Sequence, residues 1–180
     1  ALVTGGSGGI GAAICRRLAA DGCHVYIHAH RGLQAAQTLA DAICAGGGSA
    51  QVLAFDVTDS AAVADVLTPL VEHQPIQILV NNAGIHDDAV FPGMRAEQWH
   101  RVMDVTLHSV FRMTRAFLPA MYEHKSGIIV NNASVLGWRA QKGQAHYAAA
   151  KAGVMAFTRC SALEAAEHNV RINAVAPSIA

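Results

Sequence analysis

The sequence predicts a doubly wound α/β fold, in which helices cover both faces of a parallel β-sheet. Apolar, β-branched segments alternate with helical segments along the whole 180 residues, which is the pattern of successive βαβ units. The strand segments are continuously apolar, as in strands that are buried on both faces. Glycines are concentrated between the first strand and the first helix, where this fold places a glycine-rich turn. Together these features predict a three-layer α/β/α architecture.

The first half of the sequence supplies the following elements. They are a strand at 1–4, a helix at 9–21, a strand at 24–29, a helix at 33–44, a strand at 51–55, a helix at 60–73 and a strand at 76–81. Gly22 gives the first helix a left-handed stop, and Gly46-Gly47-Gly48 ends the second. Asp59 is placed to cap the third helix, because its carboxylate can accept from the free N–H groups there.

The second half predicts a long helix at 96–123, a strand at 127–133, a helix at 145–167 and a strand at 170–175. Pro119 lies inside the long helix, where a kink is expected. No repeat or linker interrupts the alternation, so residues 1–180 are predicted to form a single domain. Because Ala180 follows Pro177-Ser178-Ile179 with no closing element, we expect a segment of a longer protein.

The composition excludes several classes of protein. Hydrophobic residues make up 52% and charged residues 14% of the chain, so it can bury a large core and is not disordered. Thirteen basic residues balance thirteen acidic ones, which argues against binding to nucleic acid or to an acidic membrane surface. No apolar run reaches the roughly 18 residues of a membrane span. We therefore expect a cytoplasmic protein.

Cysteine and histidine give no sign of a metal site. The four cysteines show no C-x-x-C spacing, so ordinary thiols in a reducing cytosol are expected. The ten histidines form no metal-ligand motif. His28 and His30 share one face of the second strand, where a solvated or cofactor-flanking role is predicted.

A glycine-rich turn joins the first strand to the first helix. It reads Thr4-Gly5-Gly6-Ser7-Gly8-Gly9-Ile10-Gly11. Glycines let a backbone approach a pyrophosphate, whose charge is held at the helix N-terminus. The turn therefore predicts a dinucleotide site, with a turn that binds no ligand as the alternative.

The residues after the second strand predict the type of coenzyme. NAD enzymes of this architecture place a carboxylate on the ribose at about this distance from the glycines, but the sequence here is His28-Ala29-His30-Arg31. Arg31 can pair with a 2′-phosphate through its fixed fork, so NADP(H) is predicted. The alternative is that Arg31 is only a solvated residue at the start of a helix.

Polar residues also follow the third and fourth strands, at the edge where open α/β sheets bind ligands. Asp56 can accept from an adenine amino group, while Asn81 and Gly84 can line the adenosine side. Helix caps and a tight turn are the alternative interpretation of these residues.

Ser134, Tyr147 and Lys151 are the candidate catalytic residues. Tyr147 and Lys151 are four residues apart on one predicted helix and so share a face. A phenol has a pKa near 10, and a neighbouring ammonium lowers that pKa by favouring the phenolate. Ser134 ends the fifth strand and can hydrogen-bond a substrate oxygen where charge develops. A surface Tyr–Lys pair is the alternative.

The motifs together resemble those of the short-chain dehydrogenase/reductase family, and most closely its 3-oxoacyl-[acyl carrier protein] reductases. The resemblance covers essentially the whole chain and implies a Rossmann fold, truncated before the last strand and the substrate region. It implies that Tyr147 is the general acid/base, that Lys151 holds the nicotinamide ribose while tuning the phenol, and that Ser134 orients the substrate carbonyl. The implied cofactor-binding residues are Thr4, Gly5, Ser7, Gly9, Ile10, Gly11, Arg31, Asp56, Val57, Asn82, Ala83, Gly84, Tyr147, Lys151 and Pro177.

Two positions depart from the family pattern. Thr106 stands where the family usually has an asparagine that holds a water near the lysine; a threonine hydroxyl is shorter and lacks the two amide donors. Thr106 is kept as a possible fourth catalytic residue. Ser178 stands where the family has a glycine after proline, and its side chain is expected to alter the placement of the nicotinamide.

The resemblance implies NADPH-dependent reduction of a 3-oxoacyl thioester to the 3-hydroxyacyl thioester. Acyl carrier protein is a possible partner, with Lys125 either its docking residue or a solvated lysine, and a homotetramer is implied. One alternative is a short-chain alcohol dehydrogenase or carbonyl reductase with another small substrate. Another, from a different class, is a catalytically weak nucleotide-binding regulatory protein.

Overall fold

One parallel sheet forms the centre of the molecule. The computed structural model describes residues 1–73 and 75–178, so the predicted chain end at Ala180 lies outside the described residues. The strands are β1 (Leu2–Val3), β2 (His24–Ala29), β3 (Ser49–Ala54), β4 (Ile78–Asn81), β5 (Gly127–Asn132) and β6 (Val170–Val175). They are ordered β3-β2-β1-β4-β5-β6, and every pairing is parallel. The predicted doubly wound fold is confirmed.

Helices connect successive strands. They are α1 (Gly9–Ala20), α2 (Leu33–Ala45), α3 (Ser60–His73), α4 (Ala96–Met103), α5 (Ser109–Glu123) and α6 (Ala145–Ala166). The helix predicted at 96–123 is divided, because a π-helical turn at Asp104–His108 separates α4 from α5. None of the helices in the described parts of the chain is both long and apolar enough to cross a membrane.

The core lies on both faces of the sheet. Leu2 and Val3 of β1 are both fully buried, yet they belong to different hydrophobic clusters. Leu2 packs with Leu79 and Phe117 on the side of α3 and α5, whereas Val3 packs with Ile27 on the side of α1 and α2. Successive side chains of a strand point to opposite faces. Covering both faces explains why the strand sequences are continuously apolar.

The strand order reverses at β1. This strand pairs with β2 on one side and with β4 on the other. In open α/β sheets the crevice at such a switch point, beyond the carboxyl ends of the strands, is where ligands bind. The glycine-rich turn that follows Val3 and the Asn82-Ala83-Gly84 segment that follows β4 therefore meet at this crevice.

Candidate active site

A cavity of about 540 Å³ opens at the switch point. Its lining includes the predicted cofactor residues Gly5, Ser7, Arg31, Asp56, Val57, Ala83 and Gly84. They come from the loops after β1, β2, β3 and β4, so four separate chain segments meet there. Thr4 and Asn82 lie behind this lining and hold it in place.

The close approach of the two central loops requires glycine. Gly5 has a φ of 62°, and a Cβ there would lie 3.1 Å from the Cα of Ala83. A Cβ on Gly11 would lie 2.2 Å from the carbonyl oxygen of Gly5 and 2.8 Å from Nδ2 of Asn82. Gly9 differs, because nothing lies within 4 Å of a Cβ built on it. Gly11 therefore serves packing inside the protein, while the space beside Gly9 is free for a ligand.

Thr4 and Asn82 join the turn to β4. The Thr4 hydroxyl accepts from the backbone N–H groups of Asn82 at 2.9 Å and Ala83 at 3.0 Å. The Asn82 amide donates to the carbonyls of Thr4 at 3.0 Å and Gly5 at 3.2 Å, and its oxygen accepts from Asn132 at 2.9 Å. Both ends of the Asn82 side chain are therefore engaged within the protein. Its contribution is to fix the shape of the cavity.

Asn81 points away from the cavity. Its amide is buried on the other face of the sheet, where it donates to Thr114 at 3.2 Å and to Asn131 at 2.9 Å. The prediction that Asn81 lines the adenosine side is wrong, because neighbouring residues of a strand face opposite ways.

His28 supports the glycine-rich turn from below. Its ring is 2% exposed; Nδ1 accepts from the Gly5 backbone N–H at 3.1 Å, and Nε2 lies 2.9 Å from the carbonyl oxygen of Phe55. Because a backbone N–H only donates, Nδ1 is the acceptor and Nε2 carries the proton. Burial lowers the pKa of His28 and keeps the ring neutral. Of the two roles predicted for this histidine, the solvated one does not apply to His28, and its place in the cavity lining fits the cofactor-flanking one.

The two carboxylate oxygens of Asp56 have different partners. Its Oδ1 accepts from the backbone N–H of Thr58 at 2.9 Å and from the Thr58 hydroxyl at 2.8 Å, while Oδ2 lies 3.3 Å from Nδ1 of His30. Partial burial acts to raise the pKa of Asp56, but the hydrogen bonds from Thr58 and the nearby His30 and Arg31 outweigh it, so the pKa is lowered. The group is a carboxylate.

A second cavity, of about 610 Å³, adjoins the first at Ser7, Arg31 and Gly32. It is also lined by Arg16 of α1, which sequence reasoning missed. Arg16 lies one helical turn after Ala12, another lining residue, and helical side chains lean toward the N-terminus. That spacing was the available signal. Within the described part of the chain, neither Arg16 nor Arg31 forms a salt bridge with a carboxylate.

The three candidate catalytic side chains meet beside the first cavity. Ser134 follows β5 and begins a short 3₁₀ turn, where its Oγ accepts from the Leu136 N–H at 3.2 Å. The Ser134 hydroxyl lies near enough to the Tyr147 phenol to act on its pKa through hydrogen bonding. Nζ of Lys151 lies 5.5 Å from the centre of the Tyr147 ring. Fold and spacing thus bring a serine, a tyrosine and a lysine into one crevice.

Lys151 is 3% exposed. Its ammonium donates to the backbone carbonyl of Asn132, and a Cβ on Gly84 would lie only 3.6 Å from Nζ. Burial lowers the pKa of Lys151 to about 8. The ammonium form therefore predominates at pH 7.

The pKa of Tyr147 differs from the sequence-based prediction. Burial raises the pKa of this phenol above its ordinary value, and the hydrogen bond from Ser134 opposes that rise. The expected lowering by Lys151 is not found in the protein alone. The physical reason is that Nζ of Lys151 donates to the Asn132 carbonyl and lies over the ring of Tyr147, so desolvation of the phenolate dominates.

Thr106 lies in the centre of the π-helical turn and is fully buried. Its hydroxyl accepts from the Ile85 N–H and donates to the Ile85 carbonyl, both at 3.2 Å. A Cβ on Gly84 would lie 3.7 Å from the same hydroxyl. Thr106 therefore adjoins the crevice, but its hydrogen bonds hold the loop after β4.

Pro177 and Ser178 follow β6 at the same edge of the sheet. The Pro177 carbonyl accepts from the Val135 N–H at 3.2 Å, which places it beside the turn that Ser134 begins. Ser178 is exposed.

Lys125 lies at the opposite edge of the sheet. It is an exposed residue of the loop between α5 and β5, with a φ of 49°. This loop precedes the amino end of β5, whereas the crevice lies beyond the carboxyl ends of the strands. The structure does not bring Lys125 to the crevice, and its docking and solvated roles both stay predictions.

A doubly wound sheet, a glycine-rich turn at its switch point and a Ser–Tyr–Lys group beside it define a dinucleotide-dependent oxidoreductase. The family of short chain dehydrogenases matches residues 1–180. The chain belongs to this family of oxidoreductases, which act on CH–OH and C=O groups, and membership implies a nicotinamide cofactor. The predicted family resemblance is confirmed.

Several relatives are named as reductases of thioesters. The chain is 49% identical to the (5R,7aS)-5-hydroxy-7a-methyl-1-oxo-2,3,5,6,7,7a-hexahydro-1H-indene-carboxyl-CoA reductase of Mycobacterium tuberculosis, over 99% of this chain and 70% of that protein. It is 45% identical to the acetoacetyl-CoA reductase of Allochromatium vinosum, over 98% of this chain and 73% of that protein. It is 41% identical to the 3-oxoacyl-[acyl-carrier-protein] reductase of Escherichia coli, over 98% of this chain and 71% of that protein.

A solved structure agrees with the fold. The crystal structure of a short chain dehydrogenase from Mycobacterium smegmatis matches with a TM-score of 0.90 at 48% identity, over 99% of this chain and 76% of that one.

Proposed function

We propose that the protein reduces a 3-oxoacyl thioester to the 3-hydroxyacyl thioester with NADPH, with Tyr147 as the general acid. The observation that carries this proposal is the convergence of Ser134, Tyr147 and Lys151 on one crevice beside the glycine-rich turn. The oxidoreductase family and its reductase relatives support it.

The first cavity fits a dinucleotide. The open space beside Gly9 and the free N–H groups at the start of α1 suit a pyrophosphate. Arg31 and Arg16 line the adjoining cavity and form no salt bridge in the described part of the chain. Their guanidinium groups suit a 2′-phosphate, while Asp56 faces the adenosine end. When bound, the nicotinamide supplies the hydride that reaches the carbonyl carbon.

The side chains of this protein handle the carbonyl oxygen. The Ser134 hydroxyl would donate to that oxygen and hold it beside the Tyr147 phenol, which gives it a proton. The burial that raises the pKa of Tyr147 keeps the phenol protonated and ready to donate. The Lys151 ammonium, held by the Asn132 carbonyl, would bind ribose hydroxyls and favour the phenolate once the proton has left.

The three named relatives share a thioester to coenzyme A or to a carrier protein. We therefore assign the substrate to this class, with acyl carrier protein as the carrier. The homotetramer is proposed only because the family resemblance implies it. The relative from M. tuberculosis is named for a bicyclic ring system on coenzyme A. Its 49% identity favours a second candidate, the reduction of a ring ketone carried on coenzyme A.

The test is NADPH oxidation with acetoacetyl-CoA, its carrier-linked form and a bicyclic keto acyl-CoA. Tyr147→Phe is expected to lower the rate by about 10²- to 10⁴-fold, as for other lost acid–base groups, and to leave NADPH binding intact. Tyr122→Phe, which changes a tyrosine stacked on His168, is the matched control. If the wild-type protein binds NADPH but reduces no ketone, the regulatory nucleotide-binding alternative replaces this proposal.

A further inference from the structure

The residue before the candidate catalytic tyrosine is a fully buried histidine. His146 is 0% exposed; its Nδ1 lies 2.8 Å from the backbone nitrogen of Tyr147, and its Nε2 lies 2.8 Å from the carbonyl oxygen of Asp87. Because the backbone N–H of Tyr147 only donates, Nδ1 must accept. Nε2 then carries the ring hydrogen and donates a hydrogen bond to the backbone carbonyl of Asp87. The ring is neutral, and both of its nitrogens are used.

The first of these bonds caps the helix that carries Tyr147. The first N–H groups of a helix lack intrahelical partners, and Gln144 at the N-cap of α6 offers no side-chain acceptor to them. The ring of His146 supplies an acceptor at Tyr147 itself. The orientation of the first turn of α6 therefore depends on this ring.

The second bond ties that turn to the loop after β4. Asp87 is fixed from α4, because its carboxylate accepts from Gln98 at 3.0 Å and from Arg101 at 2.7 Å. Two further bonds join the same segments, from Gln144 to the Asp88 carboxylate at 2.9 Å and from the Ala89 N–H to the Gly143 carbonyl at 2.9 Å. His146 is the member of this network that bonds directly to the Tyr147 backbone.

We propose that His146 is a positioning residue, which sets the Tyr147 phenol against Ser134 by bridging the start of α6 to Asp87. The inference rests on the proposed function for its kinetic consequence. A displacement of about 1 Å in a reacting group can cost about 10²-fold in rate. A buried histidine that only filled space would affect stability and leave the phenol where it is.

Three substitutions separate the two bonds. His146→Leu removes both hydrogen bonds and fills the buried site with an apolar side chain. His146→Asn keeps an acceptor near the Nδ1 position, and His146→Gln keeps a donor near the Nε2 position. The matched control is His124→Leu, which removes an exposed histidine whose Nδ1 contacts the Ala120 carbonyl at 2.8 Å.

In steady-state kinetics, His146→Leu is expected to lower kcat by about 10- to 100-fold, with KM and the NADPH dissociation constant little changed. His146→Asn and His146→Gln should each recover part of the rate, and His124→Leu should match the wild type. A wild-type kcat in His146→Leu overturns the proposal, as does a failure of both conservative variants to exceed His146→Leu. If His146→Leu does not fold, the kcat values of His146→Asn and His146→Gln are compared with that of the wild type. Wild-type kcat in both variants would then overturn the proposal.

A second measurement does not require turnover. The ionisation of Tyr147 is followed by ultraviolet difference absorbance between each protein and its Tyr147→Phe partner. Hydrogen bonding by Ser134 lowers the pKa of Tyr147. If His146→Leu moves the phenol away from Ser134, the pKa of Tyr147 should therefore rise further. An unchanged phenol pKa overturns the positioning role, even if no thioester is reduced. Absence of turnover in the wild type, with the pKa shift present, overturns the proposed function and supports the positioning role.

Discussion

Gly9 and Gly11 lie two residues apart in α1, and an alanine at each should affect the stability of the protein differently. A Cβ on Gly11 would come within 2.2 Å of a backbone oxygen and 2.9 Å of a backbone carbon, so the turn itself must move. Such overpacking costs about 1–3 kcal/mol. A Cβ on Gly9 meets nothing within 4 Å, and alanine is preferred over glycine in helices by up to about 1 kcal/mol.

Thermal and urea unfolding of the two variants test this difference. In a chain of this size, 1 kcal/mol shifts Tm by about 2–4 °C. Gly11→Ala is expected to lower Tm accordingly, whereas Gly9→Ala should be as stable as the wild type or slightly more so. Equal destabilisation by the two substitutions would contradict the packing argument.

NADPH titration adds a second comparison. If the pyrophosphate lies against Gly9, the methyl group of Gly9→Ala occupies its space and should weaken binding by about tenfold, or about 1.4 kcal/mol. Wild-type affinity in this well-folded variant would refute the proposed placement of the pyrophosphate.

Three further predictions concern charge. Arg31→Ala should raise KM for NADPH but not for NADH, since a charged hydrogen bond contributes about 1.5–3 kcal/mol, and Arg16→Ala should do the same to a smaller extent. The pKa of His28 is lowered by burial, so the fold favours the neutral ring. Its contribution to the free energy of unfolding is complete above the unfolded pKa of about 6.5 and is lost as the pH falls through the folded pKa. In urea unfolding at several pH values, His28→Gln should show a smaller loss of stability at acid pH than the wild type. Lys151 has a folded pKa of about 8, lowered from 10.5, so at pH 7 the buried ammonium destabilises the fold. Lys151→Met should be more stable than the wild type at pH 7, and the difference should close toward pH 10.5.

Each of these predictions has a contrary outcome. Equal loss of NADPH and NADH use in Arg31→Ala would contradict the 2′-phosphate assignment. An unaltered acid limb of stability in His28→Gln would show that another group titrates there. A stability gain in Lys151→Met that persists above the unfolded pKa of lysine would point to packing instead of desolvation.

Local pattern was sufficient for the order of elements. Continuous apolar runs located the strands, and four-residue spacing put Tyr147 and Lys151 on one face of α6, because these signals depend on neighbours in the chain. The division of the long helix was not predicted. The Thr106 hydroxyl bonds to Ile85, 21 residues away, and no local propensity reports such a contact.

The site shows the same limit. The sequence located the glycine-rich turn and the Ser–Tyr–Lys group, but it misplaced Asn81, since it could not say which strand residue faces the crevice. It also missed Arg16, which lines a cavity together with Ser7 and Arg31. It missed His146 as well, whose ring bonds to the backbone of Asp87, 59 residues away in the chain.

The amino-acid sequence alone determined the architecture, the family and the chemical groups available for catalysis, because these follow from periodicity and from residue types at short spacings. Only the tertiary structure decided how those groups ionise and what holds them. Burial raises the pKa of Tyr147, lowers that of Lys151 and keeps His28 neutral. The reason is that desolvation depends on everything packed around a group, and most of those atoms come from distant parts of the chain.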